Sequence, residues 1–295
     1  MQSLALALLV LAPGALLAQD AAGTQLWRLA AATLPLPPAL ATGGVASWWN
    51  PAQRDSLNSA ALELIQTSAT VGASGFVSAL RVRINGVGRV GVAYGRMRMS
   101  DLVRTTFSPD PDGASIPYFS HAARLHWNRD IGQTTVGAAV AYHETRLDTR
   151  SDDRWTLDVG ARSSLTDWVV VAAATHFLAT LGESPAQDVY GAAQVRLWRG
   201  ELWTGSGRST VSARYGVSVG SGLGAAHHLG TGIDVGGVFV ADLLVAREGG
   251  YGVSHWRPVG GMQLRVGRYR ILFAGDAGVR RVGASYRVGL EARIR

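Results

Sequence analysis

From about residue 61 onward the chain alternates apolar and polar positions with a period of two. In the segment 76–85, Leu80, Val82 and Ile84 fall on one face and Arg81, Arg83 and Asn85 on the other. Side chains of an extended chain point alternately to opposite sides, so this is a strand with two unlike faces. Asn85-Gly86 follows, a dipeptide suited to a tight hairpin turn. The alternation then resumes, with Val90, Val92 and Tyr94 set against Arg89, Gly91 and Ala93. Later stretches repeat it. Leu125 and Trp127 oppose Arg124 and His126, and Trp155, Leu157 and Val159 oppose Asp158, Gly160 and Arg162. In the last stretch Ala284, Tyr286, Val288, Leu290, Ala292 and Ile294 oppose Ser285, Arg287, Gly289, Glu291 and Arg293.

The pattern predicts strands near 61–68, 73–85, 88–100, 117–128, 134–146, 154–164, 167–179, 187–199, 208–219, 226–236, 237–247, 255–266, 269–278 and 282–294, about fourteen in all. The tenth and eleventh run together, which leaves twelve as the alternative count. Two-faced strands suit a soluble sandwich or a membrane barrel, depending on which face meets what. Strands of about 10 to 12 residues match a tilted membrane crossing better than an ordinary soluble sheet. The polar face mixes Gly and Arg with Asp, Glu and His, as a crowded lumen would. Trp127, Trp168, Trp198, Trp256 and Tyr269 fall near strand ends, where interfacial girdles sit. Connections after even-numbered strands are mostly short, while Ser100 to Ile116, Thr145 to Asp153 and Glu248 to Ser254 read as longer loops. The expected class is therefore all-β: a transmembrane antiparallel β-barrel over 61–295, in contact with the lipid of a cell outer membrane.

The first sixty residues lack this alternation. Leu4 to Leu17 is almost wholly apolar and small residues follow, so residues 1–18 read as a signal peptide cut after Ala18. Residues 19–60 contain Leu34-Pro35-Leu36-Pro37-Pro38, then Gly43-Gly44 and Trp48-Trp49-Asn50-Pro51-Ala52, consistent with two short helices around a turn.

Composition sharpens this picture. The 295 residues include 37 Gly and only 17% charged residues, without an apolar run long enough for a helical membrane span. Cysteine is absent, which removes disulfides, thiolate metal sites and Cys nucleophiles together. The net charge is +7 and every basic residue is Arg. Those arginines are spread through the strands rather than gathered in a patch, which argues against nucleic acid as a partner. The set expected to face the lumen is Arg81, Arg83, Arg89, Arg124, Asp158, Arg162, Arg214, Asp234, Arg265, Arg287, Glu291 and Arg293. Two readings stay open for it: a closed structural network holding the interior together, or an anion-attracting path.

Motifs that carry chemistry elsewhere fit poorly. Gly216-Val217-Ser218-Val219-Gly220 has the spacing of a nucleophile elbow, but Ser218 falls inside an alternating strand with no helix after it. Gly220-Ser221-Gly222-Leu223-Gly224 resembles a phosphate loop without the βαβ unit it needs. His227 and His228 point to opposite faces of a strand and cannot chelate together. His121, His126, His143 and His176 lack helical ligand spacing. No enzyme activity, metal or cofactor is expected.

The segment Gly43-Gly44-Val45-Ala46-Ser47-Trp48-Trp49-Asn50-Pro51-Ala52, placed just before the first strand, resembles the start of the FadL-type outer-membrane proteins and of the related PorV- and PorQ-like barrels. The ending Gly283-Ala284-Ser285-Tyr286-Arg287-Val288-Gly289-Leu290 is similar to their closing strand. The resemblance implies fourteen strands and a small N-terminal plug over 19–60. Asn50, Pro51 and Ala52 would lie in that plug, with Trp48 and Trp49 packed beside it. It also implies uptake of hydrophobic small molecules such as fatty acids or aromatic hydrocarbons. The alternative is a PorV-like barrel that scaffolds or shuttles a protein partner at the cell surface. Three departures stand out. Gln53 replaces the usual Gly after Asn-Pro-Ala, large extracellular loops have little room, and the chain ends Arg293-Ile294-Arg295 rather than on an aromatic residue.

Overall fold

The computed structural model describes residues 26–294 apart from 28–29, 31–32, 44, 55–58, 70–71, 101, 103–114, 182–187, 206, 221–223, 251–252 and 277–283. The signal segment 1–18 and its cleavage point after Ala18, Gly44, most of the long loop 100–116 and Arg295 lie outside the described residues.

Fourteen strands run β1 Ala60–Ser68, β2 Ala73–Ile84, β3 Gly88–Met99, β4 Tyr118–Ile131, β5 Thr134–Leu147, β6 Arg150–Ser164, β7 Val169–Leu181, β8 Asp188–Gly200, β9 Ser209–Gly220, β10 Ala226–Val235, β11 Phe239–Gly250, β12 Val253–Val266, β13 Tyr269–Asp276 and β14 Ser285–Ile294. Each pairs antiparallel with its sequence neighbours, and β14 pairs with β1 from Ala60↔Ile294 to Ser68↔Tyr286, so the sheet closes into a barrel with no edge. Closure satisfies the backbone groups of every strand within the wall, the condition for crossing a bilayer with strands. The count is fourteen, not twelve. β10 and β11 are separated only by Gly236-Gly237-Val238, with both glycines at positive φ (61° and 71°) and the Asp234 carboxylate accepting the Gly237 N–H at 2.7 Å. Nothing polar enough to break the alternation marks that turn.

The connection expected over 145–153 is instead a tight hairpin at Asp148-Thr149, because Thr145, Arg146 and Leu147 pair with Asp152, Ser151 and Arg150. Ladder hydrogen bonds use the backbone, so pairing continues past the point where the side chains stop being apolar. β7 begins at Val169 because the Thr166 hydroxyl accepts the N–H groups of Trp168 and Val169 and folds that stretch into a turn.

The two faces of the wall are inverted relative to a soluble protein. Large apolar side chains point outward and stay exposed on strand after strand, among them Leu62, Val92, Leu125, Val140, Leu243, Ile271 and Leu290. Inward positions hold small ones that are buried, including Ala61, Ala79, Ala93, Ala122, Ala139, Ala141, Ala172 and Ala274. An apolar girdle around a closed barrel is stable only against lipid. The fold is that of an outer-membrane β-barrel. Both strand termini and most short turns lie at one end, the periplasmic one by the usual asymmetry of such barrels, and longer connections such as 100–117 lie at the other.

Candidate functional site

The small inner wall leaves room for the described part of the N-terminal segment, which is the core of the molecule. Leu26, Trp27, Leu34, Val45, Ala46, Trp48 and Trp49 form one apolar cluster with Ile65, Val77, Ala79, Ala93, Met97 and Ala122 of β1 to β4. Ala39 and Leu40 form another with Ala172, Ala174 and Tyr190 of β7 and β8. Pro37 lies against Gly216 of β9 and Pro35 against Gly261 of β12. Contacts with strands all round the wall place the segment inside the barrel. Two short 3₁₀ turns are present, Pro38–Leu40 and Val45–Trp48, where two short helices are expected. Leu26, Trp27 and Ala30 before them are helical as well, and the proline-rich stretch 34–38 and Gly43 keep the two later turns short.

The aromatic-Asn-Pro-Ala stretch shows why those residues are used. Asn50 is fully buried; its Oδ1 accepts the Ala52 N–H at 2.8 Å and its Nδ2 donates to the Ala39 carbonyl at 2.8 Å. One amide thus closes its own turn and ties it to the Pro38–Leu40 turn. A backbone that passes through a lumen without a ladder must have its carbonyls met by side chains. Asn128 of β4 donates to the Pro51 carbonyl (3.0 Å), His176 of β7 bonds the Trp49 carbonyl (2.9 Å), and Arg162 of β6 donates to the Leu40 carbonyl (3.4 Å). The turn sits so close to β5 and β6 that a Cβ on Gly137 would lie 2.5 Å from Pro51, and one on Gly160 would overlap the Asn50 amide. Trp48 stacks on Trp27 at 4.7 Å between ring centroids, and Trp27 Nε1 donates to Ser120 Oγ at 3.1 Å. Ala52 and Pro51 are buried beside them, and so is Gln53, whose amide finds no hydrogen bond among the described residues.

The inward charges form separate groups rather than a continuous track. In the first, Glu291 receives Arg81 (3.0 Å), Arg270 (2.7 Å) and Arg293 (3.0 Å), and Arg270 also reaches Glu63 at 3.2 Å. Glu63 Oε2 accepts the Val45 N–H at 2.8 Å, which joins this group to the N-terminal segment. In the second, the Asp158 carboxylate lies between Arg124 and His176, and Arg124 spreads over the Trp48 ring at 5.9 Å. Arg214 pairs with Asp242 at 2.5 Å and Arg89 with Asp130 at 2.7 Å. Arg265 is half-buried opposite Arg270 in the ladder. Asp234 caps the β10–β11 turn rather than an arginine. Arg83 shares the inward face of Arg81 but lies at the exposed rim beside Asn85-Gly86.

Glu63, Asn128, His176, Asp242 and Arg270 are absent from the set expected from sequence. Each lies at an inward parity of its strand, which was the available signal; that they meet the segment depends on the closed ring. Ser218 Oγ and His228 Nε2 come within 2.9 Å on the inner face, while His227 bonds Tyr215 on the outer one. β9 continues straight through Ser218 to Gly220, without the sharp turn of a nucleophile elbow.

One buried arginine stands apart. Arg287 of β14 is 4% exposed and makes no hydrogen bond or ion pair among the described residues. It lines a cavity of about 40 Å³ between the segment and β1, β12, β13 and β14. The remaining lining is mostly apolar, from Pro35, Leu36, Val45, Trp49, Ile65 and Leu272 among others.

No family model matches the chain, and no curated protein matches it in sequence. Among solved structures it is similar to a deletion mutant of TodX, a monoaromatic hydrocarbon channel, with a TM-score of 0.52 and 10% identity over 87% of this chain and 96% of that one. It also aligns with a FadL homologue of Pseudomonas aeruginosa (TM-score 0.49, 12% identity, 95% of this chain and 100% of that one). The toluene transporter TbuX of Ralstonia pickettii gives a TM-score of 0.47 at 13% identity, over 87% of this chain and 95% of that one. At 10% identity the likeness to the hydrocarbon channel is one of fold.

Proposed function

We propose that this outer-membrane barrel is a channel for hydrophobic small molecules, that residues 19–60 are its plug, and that the favoured cargo is apolar with one anionic end, as in a fatty acid. The observation that carries the reading is Arg287, buried at a mostly apolar cavity with its Nε unbonded among the described residues and no carboxylate in hydrogen-bonded contact with it. A buried guanidinium with an unfilled hydrogen-bond donor is costly, and a carboxylate in direct contact offers it paired, charge-assisted hydrogen bonds. The surrounding apolar side chains suit an acyl or aryl body. The cavity at Arg287, of about 40 Å³, admits little more than a water, so on this reading the segment shifts for cargo to reach Arg287. Its fold neighbour TodX, by name a monoaromatic hydrocarbon channel, supports an apolar cargo.

The test is uptake into proteoliposomes of a radiolabelled medium-chain carboxylate, the matching neutral alcohol and sucrose. Uptake of the carboxylate should exceed that of sucrose and of protein-free vesicles. Arg287→Gln should slow the carboxylate more than the alcohol. Uptake no faster than in protein-free vesicles would refute a channel for apolar cargo. A carboxylate and alcohol slowed equally would refute the role given to Arg287. Deleting residues 19–60 should leave an assembled barrel with raised permeability to all three.

A further inference from the structure

The outward face of β2 to β6 is built in rows toward the extracellular end. Leu80, Val92, Leu125, Val140 and Leu157 pair across the strands as an aliphatic row. The next inward-free row upward is Ser78, Tyr94, Ala123, Tyr142 and Trp155, an aromatic belt. Above it come Phe76, Arg96, His121, Glu144 and Asp153, then Ser74, Arg98, Phe119, Arg146 and Ser151. Along β2, Phe76 is eight residues from Ile84; at about 3.3 Å per residue and about 40° of tilt this is roughly 20 Å along the membrane normal. The arginine rows therefore stand at the upper margin of an apolar band that is about 25 Å tall in such barrels.

One ring, Phe119, has Arg96 against it and two further arginines, Arg98 and Arg146, as its ladder neighbours. The Arg96 guanidinium lies 4.7 Å from the Phe119 centroid, and His121 packs edge-on against the same ring at 4.9 Å. Arg98 and Arg146 flank Phe119 in its own row, on the strands to either side. Their backbones are thus about 10 Å apart, two strand spacings. Arg146 Nε is held by the Asp148 carbonyl at 3.1 Å. The carboxylates on this face, Glu144 and Asp153, stand in the row of Arg96, two and three strands from it toward β6, and one row below Arg146. Guanidinium groups on a lipid-facing wall at head-group height meet phosphate as their natural counter-ion.

We propose that Arg96, Arg98 and Arg146 bind the phosphate groups of the phosphorylated glycolipid of the outer leaflet, with Phe119 and Phe76 against its acyl chains. This rests on the barrel and its orientation, not on transport. The test is titration of detergent-solubilised full-length protein with bis-phosphorylated lipid A, followed by native mass spectrometry. The triple variant Arg96→Gln, Arg98→Gln, Arg146→Gln should bind on the order of a hundredfold more weakly. Arg129→Gln, changed on the outward face at the periplasmic end, should bind as the parent does. If the triple variant fails to give a heat-modifiable barrel, lipid A stripped of its phosphates is titrated into the unaltered protein instead, and should bind as weakly. Inorganic phosphate at millimolar concentration should not displace the lipid. Equal affinity for phosphorylated and stripped lipid, equal affinity of the triple variant and the parent, or displacement by free phosphate would each overturn the proposal.

Discussion

Replacing Gly43 by Ala isolates what holds the N-terminal segment to the wall. Gly43 has a φ of 100°, and an added Cβ would lie 2.5 Å from Arg270 Nη2 and 2.8 and 2.9 Å from the Glu63 carboxylate oxygens. Both strain and collision would follow. A suitable control is Gly86→Ala, where φ is 80° and nothing lies within 4 Å of the added atom. Each variant carries about 1–3 kcal/mol of backbone strain, but only Gly43→Ala must also separate Glu63 from Arg270. Parting a buried ion pair costs about 3–5 kcal/mol. The lower end applies here because Arg270 keeps Glu291 at 2.7 Å. Gly43→Ala should therefore favour the undocked segment by about 3 kcal/mol more than Gly86→Ala, roughly a hundredfold in the docking equilibrium. Planar-bilayer recordings would read this as a rise in the conducting fraction, with the wall intact by heat modifiability. If the two variants conduct alike, Glu63 and Arg270 do not latch the segment and the reasoning fails.

Asn50→Ala removes the acceptor for Ala52 N–H and the donor to Ala39, and should loosen the segment by about 2–4 kcal/mol, seen as faster trypsin cleavage. Unchanged cleavage would mean that the amide is replaceable. Gln53→Leu deletes a buried amide that has no hydrogen bond among the described residues, and should raise resistance to denaturant by about 1 kcal/mol or more in lipid vesicles. A loss of resistance would show that the amide has a partner. Gly160→Ala places a methyl on the Asn50 side chain, and should raise conductance while Gly191→Ala, whose Cβ meets nothing within 4 Å, should not.

The wall was legible in the sequence because strand parity is local. Each residue's side of the sheet follows from its neighbours two positions away, so Leu80, Val82 and Ile84 against Arg81 sufficed to read a face. The exceptions were local too: a Gly-Gly turn that leaves the alternation unbroken between β10 and β11, and a hairpin at Asp148 where polar pairs extend the ladder. Of the residues that parity marked as inward, Arg81, Arg89, Arg124, Arg287 and Glu291 are buried and Arg214 is half-buried. What it could not give is which inward residues meet. Arg81 and Glu291 are 210 positions apart and touch because β1 joins β14 and β2. The same closure brings Glu63 to Arg270, and Asn128, Arg162 and His176 to carbonyls of a segment that has no strand parity of its own. The chain's local pattern determined a two-faced wall; only the closed ring, by bounding one shared interior, decided which charges pair there and set Arg287 beside the cavity under the N-terminal segment.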